Sequence, residues 1–207
     1  MVPMGTAHWD EAYGRLGATG VSWFRAEQPQ SLAMLDMLPA TPASAIDIGG
    51  GASTLAGLLR ARGVDDVTVL DISPAALALA QRELGDRADR VHWVASDITS
   101  WQPDRPRELW HDRAVFHFLT DEADRGRYRA ALAACVAPGG HVIAAAFAPD
   151  GPEQCSGLPV CRYSPDQLVA ALGDDLVLVH ADREVHTTPS GNPQAFTWVL
   201  AHREPRS

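Results

Sequence analysis

The chain has 207 residues, 46% of them apolar, and a formal net charge of −9 at pH 7. That is enough apolar material for a full core without disulfide or metal staples. The negative charge and the lack of a basic run argue against nonspecific binding to nucleic acid or to a membrane surface. No apolar run approaches the roughly 20 residues a bilayer requires. Met1 to Thr6 lack the basic and apolar regions of a secretory leader. Three cysteines, Cys135, Cys155 and Cys161, cannot all pair within the chain. A reducing cytoplasm is therefore the expected compartment.

In chain order, the first 25 residues are rich in aromatics: Trp9, Tyr13, Trp23 and Phe24. Thr6 is placed to cap a short helix from Trp9 to Arg15, which Gly17 and Gly20 break. Pro29 starts a second helix with Leu32, Leu35 and Leu38 on one face, ended by Pro39 and Pro42. From Ser44 onward strands and helices alternate, the mark of a parallel sheet. Strand one is expected at Ser44–Ile48, a helix at 52–62, and strand two at Asp66–Asp71. Ser73 and Pro74 then open a helix that runs through Leu84. Strand three is expected at 90–95, a proline-bearing loop at 100–107, and strand four at about 109–116. A helix at 121–136 is stopped by Pro138-Gly139-Gly140, and strand five follows at 141–147. A long loop at 148–163 leads to a helix capped by Ser164-Pro165, then to two last strands at 175–184 and 194–202. No internal repeat or low-complexity linker divides the chain, so 1–207 reads as one domain.

The most informative stretch is Ala45-Ile46-Asp47-Ile48-Gly49-Gly50-Gly51-Ala52-Ser53. An apolar run ends in an acid and three glycines, as buried strands do where a ligand must touch the backbone. A second apolar run, Val67 to Leu70, ends in Asp71, where a ribose hydroxyl pair would be gripped. Asp47, Asp71 and Asp97 all fall at the C-terminal edge of the expected parallel strands, which outweighs any single motif. The dinucleotide pattern G-x-G-x-x-G is not completed, since Thr54 stands where the third glycine belongs.

These residues resemble class I S-adenosylmethionine-dependent methyltransferases. Asp47-Ile48-Gly49-Gly50-Gly51 looks like that family's first motif, Asp71 like its acid after strand two, and Asp97 in Ala95-Ser96-Asp97-Ile98 like its acid after strand three. Pro138-Gly139-Gly140 and the strand after it also look like the family, so the likeness runs from Ser44 to His202. It implies a Rossmann-like α/β fold with helices on both faces of a seven-stranded, mostly parallel sheet. The implied strand order is 3-2-1-4-5-7-6, with strand seven antiparallel. S-adenosyl-L-methionine is the implied cofactor. Its candidate contacts are Trp9, Asp47, Gly49, Gly51, Asp71, Ile72, Asp97, Ile98 and Arg113.

Trp110-His111-Asp112-Arg113-Ala114-Val115-Phe116-His117-Phe118-Leu119, followed by Asp124-Arg125 and Tyr128, resembles the strand-four region of thiopurine S-methyltransferases. His111 is extra, and Ala114 replaces a glycine. Trp9, Tyr13 and Gly20-Val21-Ser22-Trp23-Phe24 look like that group's N-terminus, which implies a helical flap, residues 1–43, over a core at 44–207. A weaker likeness is to lysine methyltransferases of elongation factors, whose strand-four lysine is Arg113 here. Candidate catalytic residues are Asp112, Arg113 and His117. Asp112 and His117 are read as bases, with packing the alternative for His117. Arg113 is read as an anion-holding group, with an ion pair to Asp112 or Asp124 the alternative. Trp23, Phe24 and Cys155 are the candidate acceptor contacts. Cys155 and Cys161 are either free thiols or a pair for a soft metalloid; no zinc-type spacing exists and no metal is expected. His180, His186 and His202 read as strand residues. The expected activity is methyl transfer to a small-molecule acceptor. A soft sulfur-like nucleophile is favoured because an acidic thiol is anionic near neutral pH. A protein lysine and a non-catalytic nucleotide-binding module are the alternatives. No nucleic-acid or membrane partner is expected, and the chain is either a monomer or a homodimer.

Overall fold

The computed structural model describes residues 5–16, 27–188 and 191–204. Helices α1 (Thr6–Leu16) and α2 (Pro29–Asp36) precede β1 (Ser44–Ile48), α3 (Leu55–Ala61), β2 (Asp66–Asp71), α4 (Pro74–Leu84) and β3 (His92–Ala95). Then come β4 (Arg107–Arg113), α5 (Glu122–Cys135), β5 (Val136–Phe147) and α6 (Pro165–Leu172). β6 (Leu176–Thr187) and β7 (Pro193–Arg203) close the described chain as a long hairpin. The first five strands pair in parallel in the order β3-β2-β1-β4-β5, and β7 lies antiparallel between β5 and β6. This is the order 3-2-1-4-5-7-6 expected from the family likeness. Being antiparallel to β7, β6 runs with β1, so its C-terminal end reaches the same sheet edge as theirs.

Strand alternation sorts the side chains onto two faces. Ile46, Ile48, Trp110, Val142, Ala144 and Val199 pack with Tyr128 and Leu132 of α5 and Leu168 and Leu172 of α6. Ala45, Val67, Leu109, Ile143, Trp198 and Leu200 pack with Met34 and Leu35 of α2 and Leu55 and Leu59 of α3. Each of the larger aliphatic side chains among these, fully buried, stabilises the fold by about 1.5–3 kcal/mol. Both faces are therefore committed to packing, and chemistry is left to the strand ends.

The local differences from expectation have identifiable causes. α3 begins at Leu55 rather than at 52 because Ser53 N–H donates to Gly50 O and Ser53 Oγ accepts from Leu55 N–H, adding a turn to the glycine loop. β3 begins at His92 because Gly85–Arg90 forms a short 3-10 helix. β5 begins at Val136, and the Pro138-Gly139-Gly140 segment lies within it as a bulge. Arg107 pairs with Val136 but Leu109 with His141, and Gly139 takes φ +82°. The loop at 148–163 contains a small hairpin, Gln154–Cys155 against Leu158–Pro159. α2 belongs to the core, with Ser31, Met34 and Leu35 buried; among the described residues of the flap expected at 1–43, α1 lies over the strand ends. No helix among the described residues is long and apolar enough to cross a membrane.

Candidate active site

The C-terminal ends of β1, β2 and β4 meet α1 around a cleft. Gly49 and Gly51 take φ +64° and +28°, and the amides of Gly49 and Gly50 donate to Leu70 O at 2.7 and 3.3 Å, tying the loop to the end of β2. A Cβ at Gly51 would stand 2.7 Å from Asp71 Oδ2 and 3.0 Å from the Tyr13 hydroxyl. Bare backbone here leaves room for both.

Asp71 lines the cleft and accepts from the Ser73 amide at 2.8 Å and from the Gly51 amide. Burial pushes its carboxyl up to about 6, against the pull of those two amides and with some repulsion from Asp47 and Asp10. Ser73 caps α4 by accepting from Ala76 N–H at 3.1 Å, and its hydroxyl donates to Asp10 of α1. α1 is thereby seated on the start of α4, with Trp9 and Tyr13 on the cleft wall. Ile72, Asp97 and Ile98 continue that wall. Asp97 Oδ1 also accepts from Thr99 N–H and Oγ1–H, each at 2.8 Å, so it is both a turn cap and a lining residue. Asp47 lies beneath the loop. Its Oδ1 is 2.7 Å from His111 Nδ1, and His111 Nε2 is 2.9 Å from Ser31 Oγ.

The end of β4 departs from the sequence reading. The strand stops at Arg113 because Ala114 takes φ +73°, a left-handed conformation unusual for a side-chain-bearing residue. Asp112 closes the turn: its carboxylate accepts from the Val115 and Phe116 amides at 2.7 and 3.0 Å and from the Tyr128 hydroxyl. Asp112 is fully buried on the α5 face, and burial pushes its carboxyl up to about 6. Phe116–Phe118 forms a single 3-10 turn that carries His117 into the interior, between the rings of Phe118 and Phe147. His117 is fully buried, Nδ1 accepts from Phe147 N–H at 3.4 Å, and Nε2 has no partner among the described residues. Burial holds its pKa down at about 3. The expectation that Asp112 and His117 act as bases is corrected accordingly: one braces a turn, the other packs. Arg113, Ala114 and Val115 do reach the cleft.

The far end of the cleft has apolar walls. Trp9 meets Phe118 edge to face at 5.3 Å, and Phe196 is also in the lining. Cys155 is on this wall, but burial pushes its thiol up to about 11, so it stays protonated at neutral pH. Cys155 packs on the α2–α3 face, whereas Cys161 packs on the α5–α6 side with Arg125 Nη1 3.7 Å from its Sγ. The metalloid pairing is thus not formed, and no group of three metal-ligating side chains occurs among the described residues. Trp23 and Phe24 lie outside the described residues. His186, read from sequence as a strand residue only, is in the cleft lining. The signal that would have found it is topological, since strand six parallel to strand one ends at the cleft edge.

Residues 45–140 match a family model described as a methyltransferase domain. A protein named trans-aconitate 2-methyltransferase from Methylobacterium radiotolerans is 32% identical over 137 residues, 66% of this chain and 50% of the relative. One of the same name from Rhizobium etli is 37% identical over 81 residues, 39% of this chain and 30% of the relative. The chain thus spans about half the length, or less, of the curated relatives it matches. Among solved structures, the 1,6-didemethyltoxoflavin-N1-methyltransferase of Burkholderia thailandensis, crystallised with 1,6-didemethyltoxoflavin and S-adenosylhomocysteine, superposes with a TM-score of 0.74 at 21% identity. That superposition covers 97% of this chain and 87% of the other, a likeness of fold.

Proposed function

We propose that this chain, which carries a class I S-adenosylmethionine-dependent methyltransferase domain, moves a methyl group onto a small acceptor that enters the cleft already negatively charged. A carboxylate is the first reading and an acidic thiol the second. The residues present fit the cofactor. Gly51 leaves space that a Cβ would fill, Asp71 offers a buried carboxylate for ribose hydroxyls, Asp97 and Ile98 line the adenine end, and Asp47 Oδ2 is buried without a partner among the described residues. When bound, S-adenosylmethionine supplies an electrophilic methyl group on a sulfonium sulfur.

The observation that carries the acceptor reading is the placement of Asp112 and His117 outside the cleft. With Asp71 and Asp97 at the nucleoside end, the acceptor end presents Arg113, His186 and a protonated thiol. That set is suited to orient an anion rather than to ionise an alcohol or amine. Trp9, Phe118 and Phe196 exclude water around the acceptor and hold it for in-line attack, which lets positioning carry the rate. The names of the two relatives specify trans-aconitate, a small polycarboxylic acid, and this favours the carboxylate. Sulfur, preferred on sequence alone, takes second place because a thiolate also needs no base. α1 over the cleft speaks against a folded protein as acceptor.

The test is transfer of labelled methyl from S-adenosylmethionine to panels of small di- and tricarboxylates and of aryl thiols. Label released as methanol by mild base marks a methyl ester and supports the first reading. Base-stable label in a thioether supports the second. Cofactor binding with no transfer to any acceptor, metabolite extract included, would leave the non-catalytic binding module in place of an enzyme.

A further inference from the structure

Asp47 of β1 and His111 of β4 are register partners on the face covered by α2. Ser31 on the first turns of α2 completes a buried line, Ser31 Oγ to His111 Nε2 at 2.9 Å and His111 Nδ1 to Asp47 Oδ1 at 2.7 Å, with the three residues only 1, 2 and 3% exposed. A carboxylate only accepts, so Nδ1 carries the proton of that bond and Nε2 is left to the Ser31 hydroxyl. The other carboxylate oxygen, Asp47 Oδ2, is buried and has no hydrogen-bond partner among the described residues.

We infer that Ser31 and His111 are positioning residues for the methionyl end of the cofactor. They clamp Asp47 through Oδ1 so that Oδ2 stays pressed against the glycine loop, ready to accept from the cofactor's amine. The inference rests on the proposed cofactor site. A buried acceptor without a donor persists only where its surroundings leave it no alternative. Here they do: a Cβ at Gly50 would stand 2.6 Å from Oδ2 and 2.7 Å from Val69 Cγ1, so the carboxylate lies directly against the glycine loop. His111 is itself held from turning by Ser31 and by the Trp198 ring, 6.4 Å away between centroids. α2 reaches the loop at a second point, where Gln28, at φ +50°, donates from Nε2 to Ser53 Oγ at 3.4 Å. The helix thus grips the loop from Ser53 on one side and from Asp47 on the other.

The experiment titrates the full chain calorimetrically with S-adenosylhomocysteine and with 5′-methylthioadenosine, which lacks the amino-acid end. His111→Gln removes the Nδ1 donor, whereas the amide of His111→Asn takes the Nδ1 position. His111→Gln is expected to weaken S-adenosylhomocysteine binding about 10- to 100-fold, the equivalent of one charge-assisted hydrogen bond. Binding of methylthioadenosine should stay within about twofold, the usual error of additive effects. His111→Asn should recover most of the loss. Equal losses for both ligands, or equal losses in Gln and Asn variants, would overturn the inference and leave His111 a packing residue. Should His111→Gln not fold, Ser31→Ala decides: a loss selective for S-adenosylhomocysteine supports the clamp and an unselective one removes it. Failure of the unaltered chain to bind S-adenosylhomocysteine would instead overturn the cofactor site.

Discussion

Asp71 offers a test of the cofactor site that does not depend on knowing the acceptor. Burial moves its carboxyl up from 3.8 to about 6 in the free protein, with the Ser73 and Gly51 amides only partly restraining the rise. Ribose hydroxyls donate to the ionised form, so ligand binding selects the carboxylate. At about pH 5 only about one-tenth of the free protein is ionised at Asp71, so the apparent affinity for S-adenosylhomocysteine should fall about tenfold from its value near pH 7.5. Close to one proton should be released per ligand near pH 5 and almost none above about pH 7. Calorimetry in two buffers of different ionisation enthalpy measures both quantities. For the free protein the sign is opposite. Its raised pKa means that it binds more protons than the unfolded chain between about 3.8 and 6. The stability linked to Asp71 is therefore present in acid and lost as pH rises through about 6, by up to about 3 kcal/mol. Asp71→Asn should bind weakly at every pH and show no proton release. An affinity that stays flat down to about pH 5, with no proton exchanged, would refute the placement of Asp71 against the ribose.

Four further outcomes follow from the same geometry. His117, depressed to about 3, stabilises the fold above its unfolded value and loses that contribution as pH falls. His117→Phe should gain about 2 kcal/mol over the unaltered protein on going from pH 7.5 to pH 5 in denaturant titrations, and a constant difference would be evidence against a neutral buried imidazole. Asp112→Ala strands three buried donors and should cost about 3 kcal/mol or more, read from the urea midpoint, whereas a variant of unchanged stability and lost turnover would return Asp112 to the chemistry. Gly51→Ala, strained at φ +28° and 2.7 Å from Asp71 Oδ2, should fold yet bind S-adenosylhomocysteine at least about tenfold more weakly by calorimetry. His186→Gln should raise the acceptor KM and leave cofactor affinity unchanged; a loss of about 100-fold or more in kcat at constant KM would make His186 the missing base.

The parts of the molecule that local rules govern were legible before any coordinates. The apolar runs and their terminal acids gave β1 and β2 their observed bounds, and Ser73-Pro74 marked the start of α4 through capping chemistry alone. The strand order followed from the family likeness. The end of β4 was illegible for a physical reason. The letters of Leu109 to Phe116 read as one strand, and nothing in them announces that Ala114 adopts φ +73° or that Asp112 spends its carboxylate on two amides. One misplaced turn put His117 at the crevice on paper and in the core in the structure. The finer likeness to thiopurine enzymes drew much of its weight from this same stretch, in which Trp110, Asp112 and Tyr128 form one buried hydrogen-bonded group. Such a group reports on how β4 meets α5, which many acceptor chemistries can share.

The acids at the sheet edge divide their work by strand parity and depth. Asp71 stands at the cleft, Asp47 one layer beneath it on the α2 face, and Asp112 on the opposite face against α5. Adjacent residues of β4 point to opposite faces, so His111 serves the glycine loop while Asp112 serves the turn that delivers Arg113. Asp71 is the acid of these three that lines the cleft itself. Among the described residues the carboxylates that line the cleft are Asp71 and Asp97, and the proposed cofactor site uses both. Under the proposed function, methyl transfer rests on holding an acceptor that is already nucleophilic in line with the donor, and Arg113, His186 and Phe196, at the ends of β4, β6 and β7, are the lining side chains proposed to choose it.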